Sequence, residues 1–399
     1  TIILLLPSKS VYAMKQVLLL SILLSASAAF GDDAPRARDL GIPFDGTPGE
    51  LNAITDVAGV TVGHVTLIED LADDKAVRTG VTAILPRGER TADELAFAGW
   101  FSLNGNGEMT GTTWLSESGF LEGPVMITNT HSVGAVHEGV IRWRVAKGNA
   151  DHTEYFWSLP VVAETWDGTL NDINGFHVRP EHAMAALDRA APGPVAEGSV
   201  GGGTGMVCYQ FKCGIGTSSR VTDVDGDSYT VGVLVQANFG YWQLLRVAGV
   251  PVGHYLKSDD ESPPEFDASL SSIIIVVATD APLLPHQLDR LAKRAALGLA
   301  RNGSIATNGS GDIFVAFSTA NEEAGRGAAD ANITMLPNDS INPLFQATVE
   351  ATEEAIINAL VAGRDMQGHN GSLVRGIDLE RLVEVLRRHN RLVEPSATP

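Results

Sequence analysis

Lysine and arginine are scarce: 28 of them face 48 acidic residues, for a formal charge of −20. A nucleic-acid surface needs clustered cations to displace counterions from phosphates, so DNA and RNA are not expected partners. Cysteine is scarcer still. Cys208 and Cys213 are too few for a disulfide framework or a structural zinc site. The histidines show no H-E-x-x-H and no ligand spacing. His64, His131, His137 and His254 read as packing or capping residues, and no metal or organic cofactor is expected. Beyond residue 31 no apolar run approaches the ~20 residues that span a bilayer, and there is neither a heptad pattern nor a short repeat. What is plentiful is glycine, 42 of 399 residues, above the usual ~7% and a sign of many tight turns.

The N-terminus carries the parts of a secretory signal. From Met14 a single cation, Lys15, precedes the apolar run Val17–Leu24 and the small residues Ser25–Ala29. The run is too short for a spanning anchor. The expectation is therefore an exported protein, periplasmic or secreted. Residues 1–31 would be the signal (1–13 lying upstream of the true start at Met14), with the cut within Ala26–Gly31. Residues 32–399 would form the mature chain, free of the membrane once the signal is gone.

Along that chain, short aliphatic strands alternate with amphipathic helices, the pattern of an α/β fold. Strands are predicted at Val60–Leu67, Val81–Leu85, Val125–Ile127, Thr230–Val235, Ile273–Thr279 and Ile313–Ser318. Helices are predicted at Glu181–Ala190, Pro285–Asn302, Pro343–Ala362 and Leu379–Asn390. In the second helix Leu288, Leu291, Ala292, Ala295 and Leu299 share one face. Pro285 suits its first turn, where a missing N–H costs nothing, and Asn302-Gly303 marks its end. Asp223–Asp227 begins like a calcium loop, but its twelfth position is Leu234 rather than Glu. A hairpin turn at Asp225-Gly226 is the better reading. Gly201–Met206 lacks the Lys-Ser/Thr of a phosphate loop and reads as a turn or a close backbone approach.

One join stands out. Lys257–Ser271 holds five acids, two adjacent prolines and four serines, and it runs straight into Ser272-Ile-Ile-Ile-Val-Val-Ala-Thr279. Such a polar stretch cannot bury itself and reads as a surface loop. The join is either a plain connection or a processing site. A cut before Ser272 would leave that residue with a free α-amine, whose ordinary pKa near 7.7–8.0 suits a general base. Nucleophile and base would then reside in one residue, and Ser272 Oγ could make the cut itself by attacking the Ser271 carbonyl. Downstream, Ser310 and Asp312 of Asn308-Gly-Ser-Gly-Asp312 stand two apart, so a carboxylate could back a hydroxyl. The alternative there is an ordinary glycine turn.

These stretches resemble the family of self-processing L-aminopeptidase/D-amidase-esterases and β-peptidyl aminopeptidases. The likeness runs through Gly59–His64, Arg78–Thr82, Asn129–Gly134, Val161–Gly168, Gly201–Tyr209, Gly214–Thr217, Val235–Gly240, Ser272–Pro282 and Asn308–Asn321, in family order across nearly the whole mature chain.

The resemblance implies a four-layer αββα sandwich of the N-terminal-nucleophile type, cut into a larger piece (32–271) and a smaller one (272–399) that stay associated. It places the nucleophile at Ser272, with Ser271 as the fallback, and the assisting pair at Ser310 and Asp312. Asn238 would hold the oxyanion, and Glu164 would pair with the substrate's ammonium group beside Trp166. The implied activity is a hydrolase, a serine aminopeptidase that releases N-terminal residues from small peptides, amides or esters through an acyl-enzyme. D- and β-amino acid derivatives are within its scope. A homo-oligomer of cleaved two-chain units is implied as well. Two alternatives remain open: an acyltransferase of related fold, and an unprocessed, non-catalytic binding protein. Three positions depart from the family pattern. Ser271 stands where Gly or Asn is expected, Trp166 where Tyr is common, and Asp312 where Glu also occurs.

Overall fold

The computed structural model describes residues 35–148, 152–153, 156–257, 271–325 and 330–393. The expected signal segment 1–31 lies outside the described residues, as does all but the two ends of the acidic segment 257–271.

Two sheets form the centre. The smaller has four strands in the order β1 (Thr61–Asp70), β2 (Ala76–Leu85), β5 (Val125–Asn129) and β6 (Val161–Thr165). The larger has six: β4 (Phe120–Leu121), β3 (Ala96–Gly105), β12 (Gly311–Ser318), β11 (Ser272–Thr279), β10 (Asp227–Asn238) and β9 (Ile215–Val224). Neighbours run antiparallel except β5/β6 and β11/β12. A parallel pair needs a crossover. Helix α2 (Val133–Ala146) lies in the first connection and α5 (Pro285–Arg301) in the second. In the larger sheet, β11 and β12 are flanked on both sides by strands that precede the acidic segment in sequence.

Strand β11 shows why its sequence is aliphatic at every position. Ile273, Ile275 and Val277 pack outward on Leu288, Leu291, Ala295 and Leu299 of α5 and on helix α6 (Asn342–Val361). Ile274, Val276 and Ala278 point inward and meet Ile84, Ile127 and Ala163 of the smaller sheet. A strand covered on both faces shows no polar alternation. Each fully buried aliphatic side chain contributes about 1.5–3 kcal/mol by leaving water. On the far side of the smaller sheet, Val65, Val81, Met126 and Val162 pack on α2 and on α3 (Pro180–Asp188). The layers are thus helix, sheet, sheet, helix.

The predicted elements are present, with strands longer than expected and helix ends within two residues. The hairpin turn lies between Val224 and Asp227, where Asp225 and Gly226 both take positive φ. Three strands of five residues or more escaped the sequence reading. β3 reads AFAGWFSLNG, and Gly99 within it lets α5 approach: a Cβ there would lie 2.3 Å from the Asp289 amide. β9 carries Thr217, Ser218, Ser219 and Arg220 in a row, yet all four are buried because partners wait for them. Ser218 Oγ donates to Ala351 O at 2.6 Å, and Arg220 pairs with Glu354 at 2.7 Å. β6 is only five residues long. The two cysteines, too few for a framework, make a single local bridge across the hairpin of β7 (Val207–Cys208) and β8 (Phe211–Lys212).

Candidate active site

Ser272 opens β11 with the parity of Ile274, so its side chain faces the space between the sheets. Asn238 ends β10 directly opposite it, and residues paired across an antiparallel ladder share a face. On the other side Gly311 opens β12 in register with Ser272.

The Ser272 hydroxyl donates to Ser271 O at 2.7 Å and accepts from the Gly311 N–H at 3.2 Å. The same N–H lies 3.1 Å from Ser271 O. The carbonyl of residue 271 therefore has two donors, one of them the neighbouring hydroxyl. Glycine at 311 is required by crowding, since a Cβ would meet Asn106 O at 2.5 Å and Gly107 Cα at 2.8 Å. Ser271 Oγ is engaged elsewhere, 3.0 Å from Thr307 Oγ1.

Ser310 donates to Asp312 Oδ1 at 2.6 Å. Asp312 also accepts from the backbone of Ile273, while its Oδ2 is buried with no partner among the described residues. Burial raises this carboxyl from 3.8 to about 6, and the two hydrogen bonds oppose the rise. The turn before Ser310 is clasped by the end of β3 and the loop after it: Asn104 Nδ2 donates to Thr307 O at 2.5 Å, and Asn106 Nδ2 to Gly309 O at 2.7 Å.

That loop also reaches Glu164, in β6 of the other sheet. Glu108 N donates to Glu164 Oε1 at 3.0 Å, and the Thr130 hydroxyl donates to Oε2. Glu164 is buried, which pushes its carboxyl above the usual range, with the two hydrogen bonds pulling it back. Ser272, Glu164, Trp166, Thr130, Gly309 and the loop Asn106–Glu108 line one cavity of about 300 Å³.

Asn238 Oδ1 accepts from Val207 N at 2.9 Å, and its Nδ2 is buried without a partner among the described residues. A backbone N–H can face only an acceptor, so this bond assigns the amide orientation and leaves Nδ2 as the free donor. The site thus combines a hydroxyl beside a peptide bond, a buried carboxylate and an unused amide N–H.

All seven singled-out residues gather at this end of the sheets. Thr130, the 106–108 loop, Gly311 and Val207 were not singled out. Thr130 sits inside Asn129–Gly134 and Val207 inside Gly201–Tyr209, so both lay within matching stretches without chemistry to mark them. The glycine run of Gly201–Gly203 forms a buried 3-10 turn, with the Gly202 N–H donating to Thr82 Oγ1 at 3.1 Å. His64 is partly buried beside it, 3.0 Å from Thr82 Oγ1, and desolvation lowers its pKa to about 4. His131 stacks on Phe176 and His254 meets Trp242 edge-on.

A model of peptidase family S58 matches residues 52–374. The chain is 53% identical over 383 residues to the β-peptidyl aminopeptidase BapA of Sphingosinicella microcystinivorans, covering 92% of this chain and 95% of that protein. It is 46% identical to the β-peptidyl aminopeptidase BapA of Sphingosinicella xenopeptidilytica, covering 93% and 95%. Among solved structures it resembles the L-aminopeptidase D-Ala-esterase/amidase of Ochrobactrum anthropi, described as a variant of the Ntn-hydrolase fold. The TM-score is 0.84 at 48% identity, over 90% of this chain and 100% of that one. A Burkholderia sp. β-aminopeptidase gives 0.81 at 50%, covering 89% and 99%.

Proposed function

The chain belongs to peptidase family S58, and from that membership we propose a β-peptidyl aminopeptidase that cuts itself before Ser272 and works through an acyl-enzyme on the Ser272 hydroxyl. The observation that carries this reading is the shared cavity: Ser272 and Glu164, on different sheets, line the same space of about 300 Å³.

In self-cutting, Ser272 Oγ attacks the Ser271 carbonyl, whose oxygen already accepts from Gly311 N. As the ester forms the 271–272 C–N bond breaks and the proton of the hydroxyl passes to the nitrogen, freeing the Ser272 α-amine; water then hydrolyses the ester, releasing the Ser271 carboxylate and restoring the hydroxyl. In turnover, Glu164 pairs with the ammonium group of the substrate and so selects an amino terminus. Ser272 Oγ adds to the scissile carbonyl while its own α-amine takes the proton. Asn238 Nδ2 donates to the developing oxyanion, a contact worth a few kcal/mol when it is fixed in advance. The proton passes to the leaving amine, that amine departs, and water releases the acid from the ester. Ser310, held by Asp312, supports the proton-carrying amine.

Preference for β-amino residues is supported by the two curated relatives. The Ochrobactrum enzyme, at 48% identity, favours a second reading, release of L-α residues and hydrolysis of D-alanyl amides or esters. Export follows from the Met14–Ala29 pattern, and the working form is a homo-oligomer of cut units. Purified mature protein should show two polypeptides, the smaller beginning Ser-Ile-Ile-Ile. It should release p-nitroaniline from β-homoalanyl-p-nitroanilide faster than from the L- or D-alanyl compound. The reverse order would select the second reading. Products formed on added amines in preference to acid would point to acyl transfer.

A further inference from the structure

Lys212 is fully buried on β8. Its ammonium donates to Met206 O at 2.9 Å and to Cys213 O at 2.5 Å, and among the described residues it makes no ion pair. Burying an unpaired cation is costly, and burial here pulls its pKa from 10.5 down to about 7. None of the steps above uses this group.

Its location supplies the reason. Met206 C=O and Val207 N–H are the two ends of one peptide unit. Lys212 holds the oxygen end, and the N–H end donates to Asn238 Oδ1 at 2.9 Å. A cation on a peptide oxygen polarises the unit and strengthens its N–H as a donor. The hairpin that carries these groups is pinned beside Asn238: Tyr209 N donates to Phe239 O at 2.7 Å, Tyr209 OH to Asn302 O at 2.7 Å, and the Cys208–Cys213 bridge closes the turn. Tyr209 and Gln210 both hold positive φ there, a conformation that non-glycine residues keep only when their surroundings impose it.

We infer that Lys212 is the positioning residue for Asn238: through the Met206–Val207 peptide its ammonium fixes the Asn238 carboxamide so that Nδ2 faces the substrate oxygen. This rests on the proposed oxyanion role of Asn238.

The test is a double-mutant cycle of K212M and N238A. It reads kcat and KM per processed chain, or the first-order rate of self-cutting where a variant stays largely uncut. K212M should lower kcat roughly ten-fold with KM within about two-fold, since positioning an oxyanion donor acts on the transition state. In the N238A background that loss should shrink to within about two-fold. The same factor in both backgrounds, or no loss in either, overturns the inference and leaves the Asn238 assignment standing if N238A alone is slow. Full kcat in N238A sinks the Asn238 assignment, and the inference with it. Should K212M fail to fold, K212Q, which keeps N–H donors without charge, is read in the same cycle with the same criteria.

Discussion

Asn238 and Ser272 face each other across the β10–β11 ladder with their side chains on one side of the sheet. A hydroxyl at the first position of one strand and an amide N–H without a partner among the described residues at the last position of its neighbour are fixed by the register of that one ladder. No loop has to move to bring them together.

That arrangement makes the bond before Ser272 the expected cut. Ser272→Ala should yield one uncut polypeptide by intact mass. Ser271→Ala should still give two pieces, because the Ser271 hydroxyl is engaged with Thr307. Efficient cutting of the first variant would remove Ser272 from its role.

Asn238→Ala should lower kcat by roughly 10²–10³, the usual loss of one preorganised oxyanion donor, with little change in KM. Steady-state kinetics on an aminoacyl anilide would show it. A loss confined to KM would reassign Asn238 to substrate binding.

Glu164→Gln should raise KM for substrates with a free amino terminus by roughly 10- to 100-fold, since it leaves an ammonium without its charged partner. Glu164 titrates above the ordinary carboxylate range because it is buried. It therefore accepts a proton earlier as pH falls, and kcat/KM should fall with it. In the Gln variant the step that Glu164 adds to the acid side of the kcat/KM profile should be absent, while the fall set by protonation of the Ser272 α-amine remains. An acid side unchanged in that variant would assign that step to another group.

Asp312 sets a pH dependence of stability in the uncut chain. Its carboxyl is raised from 3.8 to about 6, so the folded state holds the proton more tightly than the unfolded one. The stability this provides is present in full below about pH 4 and is lost as pH rises through about 6, an upper bound of ~3 kcal/mol. In an uncut Ser272→Ala background, Asp312→Asn should melt like its parent at pH 4 and at a higher temperature at pH 7.5. A calorimetric difference that does not grow between those pH values would contradict this.

Strand β11 was legible because burial on both faces demands aliphatic residues at every position, and the abrupt change at Ser272 marked where that burial begins. The spacing of Ser310 and Asp312 suggested a pair but left an ordinary glycine turn open, and the hydrogen bond between them is what the fold adds. Glu164 and Asn238 were not legible, except through family likeness: their neighbours in sequence say nothing about a cavity assembled by residues 106–108 and 130 from elsewhere in the chain. β9 was hidden because Ser218 and Arg220 look like surface residues until Ala351 and Glu354 arrive from α6. Lys212 was invisible for a related reason, since its partners are carbonyl groups.

The strand order of the larger sheet carries one more consequence. β12 and β11 lie between β3 and β10, so a cut before Ser272 would leave the smaller product threaded through the larger one like a tenon in its mortise. Withdrawing it would tear two ladders and strip the inward face of β11 from the smaller sheet, so neither product should leave the other without both coming apart. Dilution should not separate the pair, and denaturant should melt it in one step.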